Sequence, residues 1–355
     1  RQFIRVLQDP TARSMLRTLF FSLQECQKGV RRPKDVPHFQ VKKVGILGAG
    51  LMGQGIAHVT AKAKIDVVLL DRDRATAERG KKQVAKTLDR RLQKGRTTAD
   101  RVEAILGRIH PTENYDDLQG CDVIVEAVFE DRELKAKVTK AADLQLSDSA
   151  IFASNTSGLP ITDLAKASSR PESFIGLHFF SPVERMQMVE IVVGEKTSDE
   201  TLAKAWDYIL AIKKAGIVVN DSPGFYTSRV FGTFISEGNR LLVEGVTPAL
   251  IENAARAAGM PMPPLGISDQ VGLGTMYKVA KQAEKDAAAA GREWSPSPAQ
   301  AIIASLIEDH DRWGAHPPPK EDGSPREAAG FYEYYQGGKR LWPDLQAAMS
   351  EWIET

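Results

Sequence analysis

Cysteine is scarce in this chain. Only Cys26 and Cys121 occur among 355 residues, which excludes a disulfide framework and suits a reducing compartment. No stretch reaches the roughly 20 apolar residues that span a bilayer, and the charged and apolar regions of a secretory signal are missing. A surplus of either charge is missing too. The 47 basic and 46 acidic side chains leave a net charge of +1, so no long-range field draws nucleic acid or an anionic membrane. There is no internal repeat, no low-complexity tract and no expectation of a metal site. These absences lead us to expect a soluble, cytoplasmic chain, an organelle being the alternative, whose partner is recognised locally. The first residue is Arg1, not Met, so the start reads as a boundary within something longer.

What is present has a clear order. The length suits two domains, because single cores rarely keep growing beyond roughly 250 to 300 residues. Residues 3 to 28 place Leu16, Leu19, Phe20 and Leu23 at helical spacing, and the apolar stripe they form calls for a partner surface. Gly29, Pro33 and Pro37 then mark a linker, so residues 1–40 read as a connecting helix and linker. From about Val41 short apolar runs alternate with amphipathic helices: "KVGILG", "DVVLLD", "DVIVEAV", "AIFAS", "FIGLHFF", "MQMVEIVVG" and "GIVVND". Strands apolar on both faces belong to a parallel sheet covered by helices, which predicts an α/β, Rossmann-type doubly wound, mostly parallel sheet over 41–222. Beyond "DSPGF" the rhythm turns helical, and an all-helical domain is expected over 223–355, with an exposed loop at "GAHPPPKEDGSPREAAG".

The stretch "VGILGAGLMGQGIA" sets Gly48, Gly50 and Gly53 in the G-x-G-x-x-G spacing between an apolar strand and a helix. Gly48 permits the tight turn, Gly50 lets a diphosphate approach the backbone, and Gly53 lets helix and strand pack closely. By itself this spacing is a weak signal. The second strand, however, ends in Asp71, 23 residues beyond Gly48, where a carboxylate can hold the ribose hydroxyls of an adenosine. A carboxylate there repels a 2′-phosphate, so NAD is expected in preference to NADP; Arg72 and Arg74 read as solvated charges.

A nicotinamide enzyme acting on a carbinol needs a group to take the hydroxyl proton, and histidine titrates in a suitable range. Of the six histidines, His38 sits in the linker, His58 on the helix after the glycine loop, His110 in a turn before Pro111, and His310 and His316 in or near the exposed loop. Only His178 falls near the carboxyl end of an expected sheet strand, where such sheets bind ligands. A histidine in an apolar strand is often just a hydrogen-bonded core residue. Glu190 favours the other reading, because a carboxylate inside "MVEIVVG" is costly unless paired and an imidazole would satisfy it. Arg185 or a backbone donor could also serve Glu190.

In order, "GAGLMGQGIA", "VEAVFEDRELK", "ASNTSGL", "GLHFFSPV", "MVEIV" and "DSPGF" resemble the L-3-hydroxyacyl-CoA dehydrogenases of fatty-acid β-oxidation. "GMPMPPLGISDQVGLG" is similar to that family's glycine- and proline-rich stretch, and "GFYEY" from Gly330 to its closing motif. The resemblance implies NAD-dependent oxidation of an L-3-hydroxyacyl-CoA to the 3-oxoacyl-CoA. It implies His178 as base, Glu190 as its orienting carboxylate, and Ser157 bonded to the substrate oxygen. Glu130, Lys135 and Asn155 would line the nicotinamide half of the NAD site. Ser157 or Thr156 could instead be an ordinary helix cap.

Two positions depart from the family pattern, Ser181 and Ser228, both standing where asparagine is usual and both expected to touch substrate. The first 40 residues resemble the helix that joins an enoyl-CoA hydratase domain to the dehydrogenase in multifunctional relatives. The resemblance therefore implies either a homodimer through the helical domain or packing against a hydratase or second helical domain. A non-catalytic NAD-binding or assembly module of a larger β-oxidation protein is the alternative.

Overall fold

The computed structural model describes residues 2–353 apart from 290, 321 and 337. It falls into two compact units, Arg1–Tyr226 and Thr227–Thr355.

The first unit is built on eight strands: β1 (Lys43–Leu47), β2 (Asp66–Leu70), β3 (Ile109–Thr112), β4 (Val123–Glu126), β5 (Ile151–Ser154), β6 (Phe174–Phe179), β7 (Met188–Val193) and β8 (Ala215–Asn220). Their order across the sheet is β3-β2-β1-β4-β5-β6-β7-β8. Every neighbouring pair is parallel except β6 with β7, which run antiparallel. The sheet is thus doubly wound and mostly parallel.

Its strands are apolar throughout because both faces are covered. Val44, Ile46, Val67, Leu69, Val123 and Val125 pack on one side with Ile56, Val84, Leu88 and Trp206 from the helices Leu51–Lys62, Arg74–Gln93 and Asp199–Ala211. Leu47, Val68, Leu70, Ile124 and Phe152 face the other way, toward Val138 and Ala142 of the helix Arg132–Asp143. The alternation follows from the two-residue period of a strand. Between β2 and β4, β1 is the point where the winding reverses, and such a point opens a crevice at the carboxyl ends of the strands.

His110 does not lie in a turn: it is the second residue of β3, paired with Val68. Pro111 beside it is tolerated because β3 is an edge strand, where a missing N–H costs no ladder bond. Residues 2 to 27 are helical in consecutive pieces, Gln2–Gln8, Pro10–Met15, a π-wound stretch Leu16–Ser22, and Leu23–Gln27, none of which buries a residue. Leu16, Leu19 and Phe20 of the expected apolar stripe stay exposed, and Leu23 is half-buried. The following segment is fastened. Arg32 is buried and makes a two-pronged ion pair with Asp207, Nε to Oδ1 and Nη2 to Oδ2, each at 2.8 Å. Its remaining N–H groups donate to the carbonyls of Pro33, Val36 and Pro37. Phe39 N–H donates to Asp207 as well.

In the second unit the helices Thr227–Val243, Pro248–Ala257, Pro264–Val271, Leu273–Ala289, Pro298–Glu308 and Leu345–Ile353 contribute to a core that includes Leu242, Ile251, Leu265, Leu273, Ile302, Leu306 and Leu345. It is not all helical. Strands β9 (Tyr332–Tyr335) and β10 (Gly338–Leu341) pair as an antiparallel ribbon. The aromatic run "YEYY" suits a pleated, half-buried surface better than a helix, and Asp269 pins its start by accepting from the backbone N–H groups of Phe331 and Tyr332 at 2.8 and 2.9 Å. The stretch expected to be a loop ends where Ala329 bridges to Gly314 and to Glu333.

Candidate active site

The crevice at the end of β1 is shaped by its glycines. Gly48 has φ +98°, and a Cβ there would come within 2.7 Å of the Ala127 carbonyl oxygen. At Gly53 a Cβ would sit 1.8 Å from the carbonyl oxygen of Gly48, so the helix Leu51–Lys62 can start this close to the strand only without a side chain. Above Gly50 nothing lies within 4 Å of a built Cβ, and no side chain caps the helix that starts after it. Open space in front of uncapped N–H groups at a helix N-terminus is what a diphosphate requires.

Asp71 stands just past β2 and accepts from the N–H groups of Ala49 and Arg72, each at 2.7 Å, which ties the carboxylate to the glycine loop. Arg72 pairs with Asp73 and Arg74 with Glu78, both in solvent. The residues present therefore fit a dinucleotide with free ribose hydroxyls.

His178 and Glu190 are direct cross-strand partners in the antiparallel β6/β7 pair. On an antiparallel ladder, opposed residues project to the same face with short Cβ separation. The imidazole Nδ1 lies 2.7 Å from Glu190 Oε2, with side-chain exposures of 10% and 0%. Since an ionised carboxylate only accepts, Nδ1–H is the donor, and in the neutral ring Nε2 carries the lone pair. Glu190 Oε1 accepts from Tyr226 N–H at 3.1 Å. Phe180 and Phe225 flank the imidazole, with centroids 4.6 and 5.9 Å away.

A second polar cluster sits at the ends of β4 and β5. Glu130 Oε1 accepts from the Thr156 hydroxyl at 2.6 Å, Ser157 N–H at 2.9 Å and Gly158 N–H at 3.2 Å. The Ser157 hydroxyl reaches the same oxygen at 3.4 Å. Lys135 Nζ lies 3.3 Å from Glu130 Oε2, and its ammonium is buried. Burial alone pushes the Glu130 carboxyl up, but Lys135, the Thr156 hydroxyl and Ser157 N–H outweigh it and hold the carboxyl below its ordinary value. Asn155 Oδ1 accepts from Phe179 N–H at 2.8 Å, tying this loop to the strand that carries His178.

Ser181 is exposed, two residues past β6, and the Ser181–Pro182 peptide is cis. Ser228 is exposed on the helix Thr227–Val243, in the second unit. The first unit thus brings Gly48, Gly50, Gly53 and Asp71 to the end of β1 and β2, Glu130, Lys135, Asn155 and Ser157 to the ends of β4 and β5, and His178 with Glu190 to β6 and β7. Among the described residues no cluster of three or more histidines, cysteines or carboxylates could hold a metal ion. No helix of the described residues is long and apolar enough to cross a membrane.

Three contributors were not singled out by sequence reasoning. Glu126, the last residue of β4, is buried and accepts from Lys135 through both oxygens. Ser154 donates to it. Asp221 accepts from the N–H groups of Ile161 and Thr162, each at 2.7 Å, and so holds the segment after the Ser157 loop. Glu126 carries the same signal as Glu190, a lone carboxylate in an apolar strand. Asp221 offers none, because aspartate beside proline and glycine is ordinary turn composition.

Residues 43–222 match the family model described as 3-hydroxyacyl-CoA dehydrogenase, NAD binding domain, and residues 224–311 match the C-terminal domain of the same enzymes. The fatty acid oxidation complex subunit alpha of Shewanella sp. (strain MR-4) is 36% identical over 337 residues, covering 95% of this chain and 45% of the relative. The chain therefore spans about half the length of the curated relatives it matches. Among solved structures, an (S)-3-hydroxybutyryl-CoA dehydrogenase from Ralstonia eutropha is 34% identical, with a TM-score of 0.72 over 83% of this chain and 100% of that one. A 3-hydroxybutyryl-CoA dehydrogenase from Escherichia coli is 29% identical, with a TM-score of 0.73 over 86% of this chain and 61% of that one. A glycine loop shaped for a dinucleotide, a paired imidazole at the strand ends and these matches lead to one conclusion: the chain belongs to the 3-hydroxyacyl-CoA dehydrogenases, NAD-dependent oxidoreductases.

Proposed function

We propose that this chain oxidises an L-3-hydroxyacyl-CoA to the 3-oxoacyl-CoA as the dehydrogenase portion of a longer, multifunctional β-oxidation protein. The observation that carries the mechanism is the buried His178–Glu190 pair at 2.7 Å. With Nδ1–H committed to the carboxylate, Nε2 is the atom that takes the proton from the substrate's 3-hydroxyl. Glu190 holds the ring in that tautomer and stabilises the imidazolium that forms. When bound, NAD supplies the hydride acceptor. Asp71 would hold its adenosine ribose, the Gly50 turn and the following helix end its diphosphate, and Glu130, Lys135 and Asn155 the border of its nicotinamide half. Ser157 would bond the substrate oxygen, with Ser181 and Ser228 in contact with substrate.

The exposed apolar side chains of Leu16, Leu19 and Phe20 support packing of this segment on a further domain, such as a hydratase. A homodimer through the helical unit is the other arrangement. To test the reaction, acetoacetyl-CoA and NADH are added to the purified chain and nicotinamide absorbance is followed. Steady loss of absorbance is expected, and an unchanged trace at high enzyme concentration would overturn the assignment.

A further inference from the structure

We propose that Glu126 is a positioning residue for this reaction, acting through Lys135 and Glu130 on the loop that carries Ser157. What that loop serves rests on the function proposed above; the chain of contacts does not. Glu126 closes β4 with its side chain 1% exposed, so it stands behind the crevice rather than in it. Four hydrogen bonds converge on its two oxygens. Lys135 Nζ donates to Oε1 and Oε2 at 2.9 and 3.0 Å, Val128 N–H to Oε1 at 2.8 Å, and the Ser154 hydroxyl to Oε2 at 2.6 Å.

Two of those donors come from rigid elements. Ser154 is the residue opposite Glu126 in the parallel β4/β5 pair, and Lys135 lies on the helix Arg132–Asp143. The ammonium thus sits at a fixed point, and from there it meets Glu130 Oε2 at 3.3 Å. Glu130 spends its other oxygen on Thr156, Ser157 and Gly158. Three links therefore run from two sheet strands to the Ser157 loop: carboxylate, ammonium, carboxylate.

The sharing of Lys135 is the essential part. A buried ammonium facing one carboxylate alone would be drawn onto it, because charge attraction is strong where water is excluded. Glu126 holds the ammonium from behind with both oxygens, which leaves Glu130 Oε1 for the loop. The cluster of two carboxylates and one ammonium keeps a net negative charge, and Glu130 stays an acceptor for backbone N–H groups.

Glu126→Gln removes the hold without removing bulk. The new amide NH₂ cannot replace Oε1, which takes both Lys135 and Val128 N–H, so it replaces Oε2 beside the Ser154 oxygen, and Lys135 keeps one uncharged acceptor and meets a donor. The ammonium then moves toward Glu130 and takes it off the Ser157 and Gly158 amides. Amide hydrogen exchange on the full chain reads this directly, without substrate. Exchange across residues 155–159 should quicken about tenfold in Glu126→Gln, the loss expected for hydrogen bonds to a charged acceptor. Exchange across β6, apart from Phe179 N–H, which Asn155 of this loop holds, should stay unchanged.

A pair of further variants separates positioning from support of the fold. In Glu126→Gln with Lys135→Met the buried charge is gone, so thermal stability should return toward that of the parent while the loop still exchanges fast. Ser154→Ala removes a single donor and should quicken the loop about twofold to fivefold; it serves if Glu126→Gln does not fold. Loop exchange unchanged in whichever of these variants folds, or quickened equally across the whole first unit, would overturn the proposal. A parent chain inactive on acetoacetyl-CoA would defeat the assigned reaction and leave this exchange test standing.

Discussion

The two units bury carboxylates at equal depth and answer them differently. In the first, Glu126 and Glu190 are 1% and 0% exposed, and their main partners are side chains, the Lys135 ammonium and the His178 imidazole, set where strands end. In the second, Glu252 and Asp269 are 1% and 0% exposed. Glu252 accepts from Leu265 N–H and the Tyr332 hydroxyl, Asp269 from the N–H groups of Phe331 and Tyr332 and the Tyr334 hydroxyl. Backbone donors fasten a helix start and a β-ribbon. Side-chain donors that can change protonation or position leave room for chemistry. Depth of burial therefore does not separate these four carboxylates; their partners do.

The largest test of this contrast is catalytic. His178→Gln and Glu190→Gln should each lower turnover by about 100- to 10,000-fold, the usual worth of a positioned base, while fluorescence titration shows NADH binding retained. Asp269→Asn should leave turnover per folded molecule unchanged. A loss of turnover there, with stability intact, would break the distinction.

Acid should next push the two units in opposite directions. Burial, opposed by Glu184 and reinforced by Lys62, lowers His58 of the first unit from 6.5 to about 4. The unfolded chain then holds that proton more tightly, so the stability is complete above pH 6.5 and lost as pH falls toward 4. Burial of Asp269 in the second unit raises it from 3.8 to about 6, against the pull of the Tyr332 and Phe331 N–H groups. Its contribution is complete below pH 3.8 and lost as pH rises through 6. Each swing is at most about 3 kcal/mol. Amide exchange followed separately in the two units from pH 4 to 7, with His58→Gln and Asp269→Asn as references, checks both signs.

Smaller effects sharpen the second unit. Asp269→Asn puts an NH₂ against a backbone N–H and should cost about 1–3 kcal/mol in chemical denaturation. Tyr334→Phe removes the 3.0 Å hydroxyl bond to Asp269 and should cost about 1 kcal/mol.

Much of the first unit is legible in the sequence, because a doubly wound sheet requires runs as apolar as "DVVLLD" and a turn as tight as Gly48 to Gly53. Glu190 is readable as a charge that needs a partner, yet its partner follows from the antiparallel turn of β7, which no strand composition announces. Glu126 carries the same signal within "DVIVEAV", and its task depends on Lys135, nine residues on, folding back over it. His110 misleads because a proline beside it suggests a turn, whereas an edge strand accommodates one. The ribbon at Tyr332 is hidden among helices, since its start is held by Asp269, 63 residues earlier in the chain.

The clasp between Arg32 and Asp207 bears on where this enzyme can be cut. The family match begins at residue 43, yet Gly29 already packs on the far helix, where a Cβ would touch Leu210 at 3.1 Å. Trimming to residue 41 would strip a buried aspartate of its guanidinium and of Phe39 N–H, a loss of about 3–5 kcal/mol for an orphaned buried charge. Trimming before Leu23 would remove exposed apolar helix and leave the clasp whole. The domain that can be excised thus starts earlier than the domain that can be recognised.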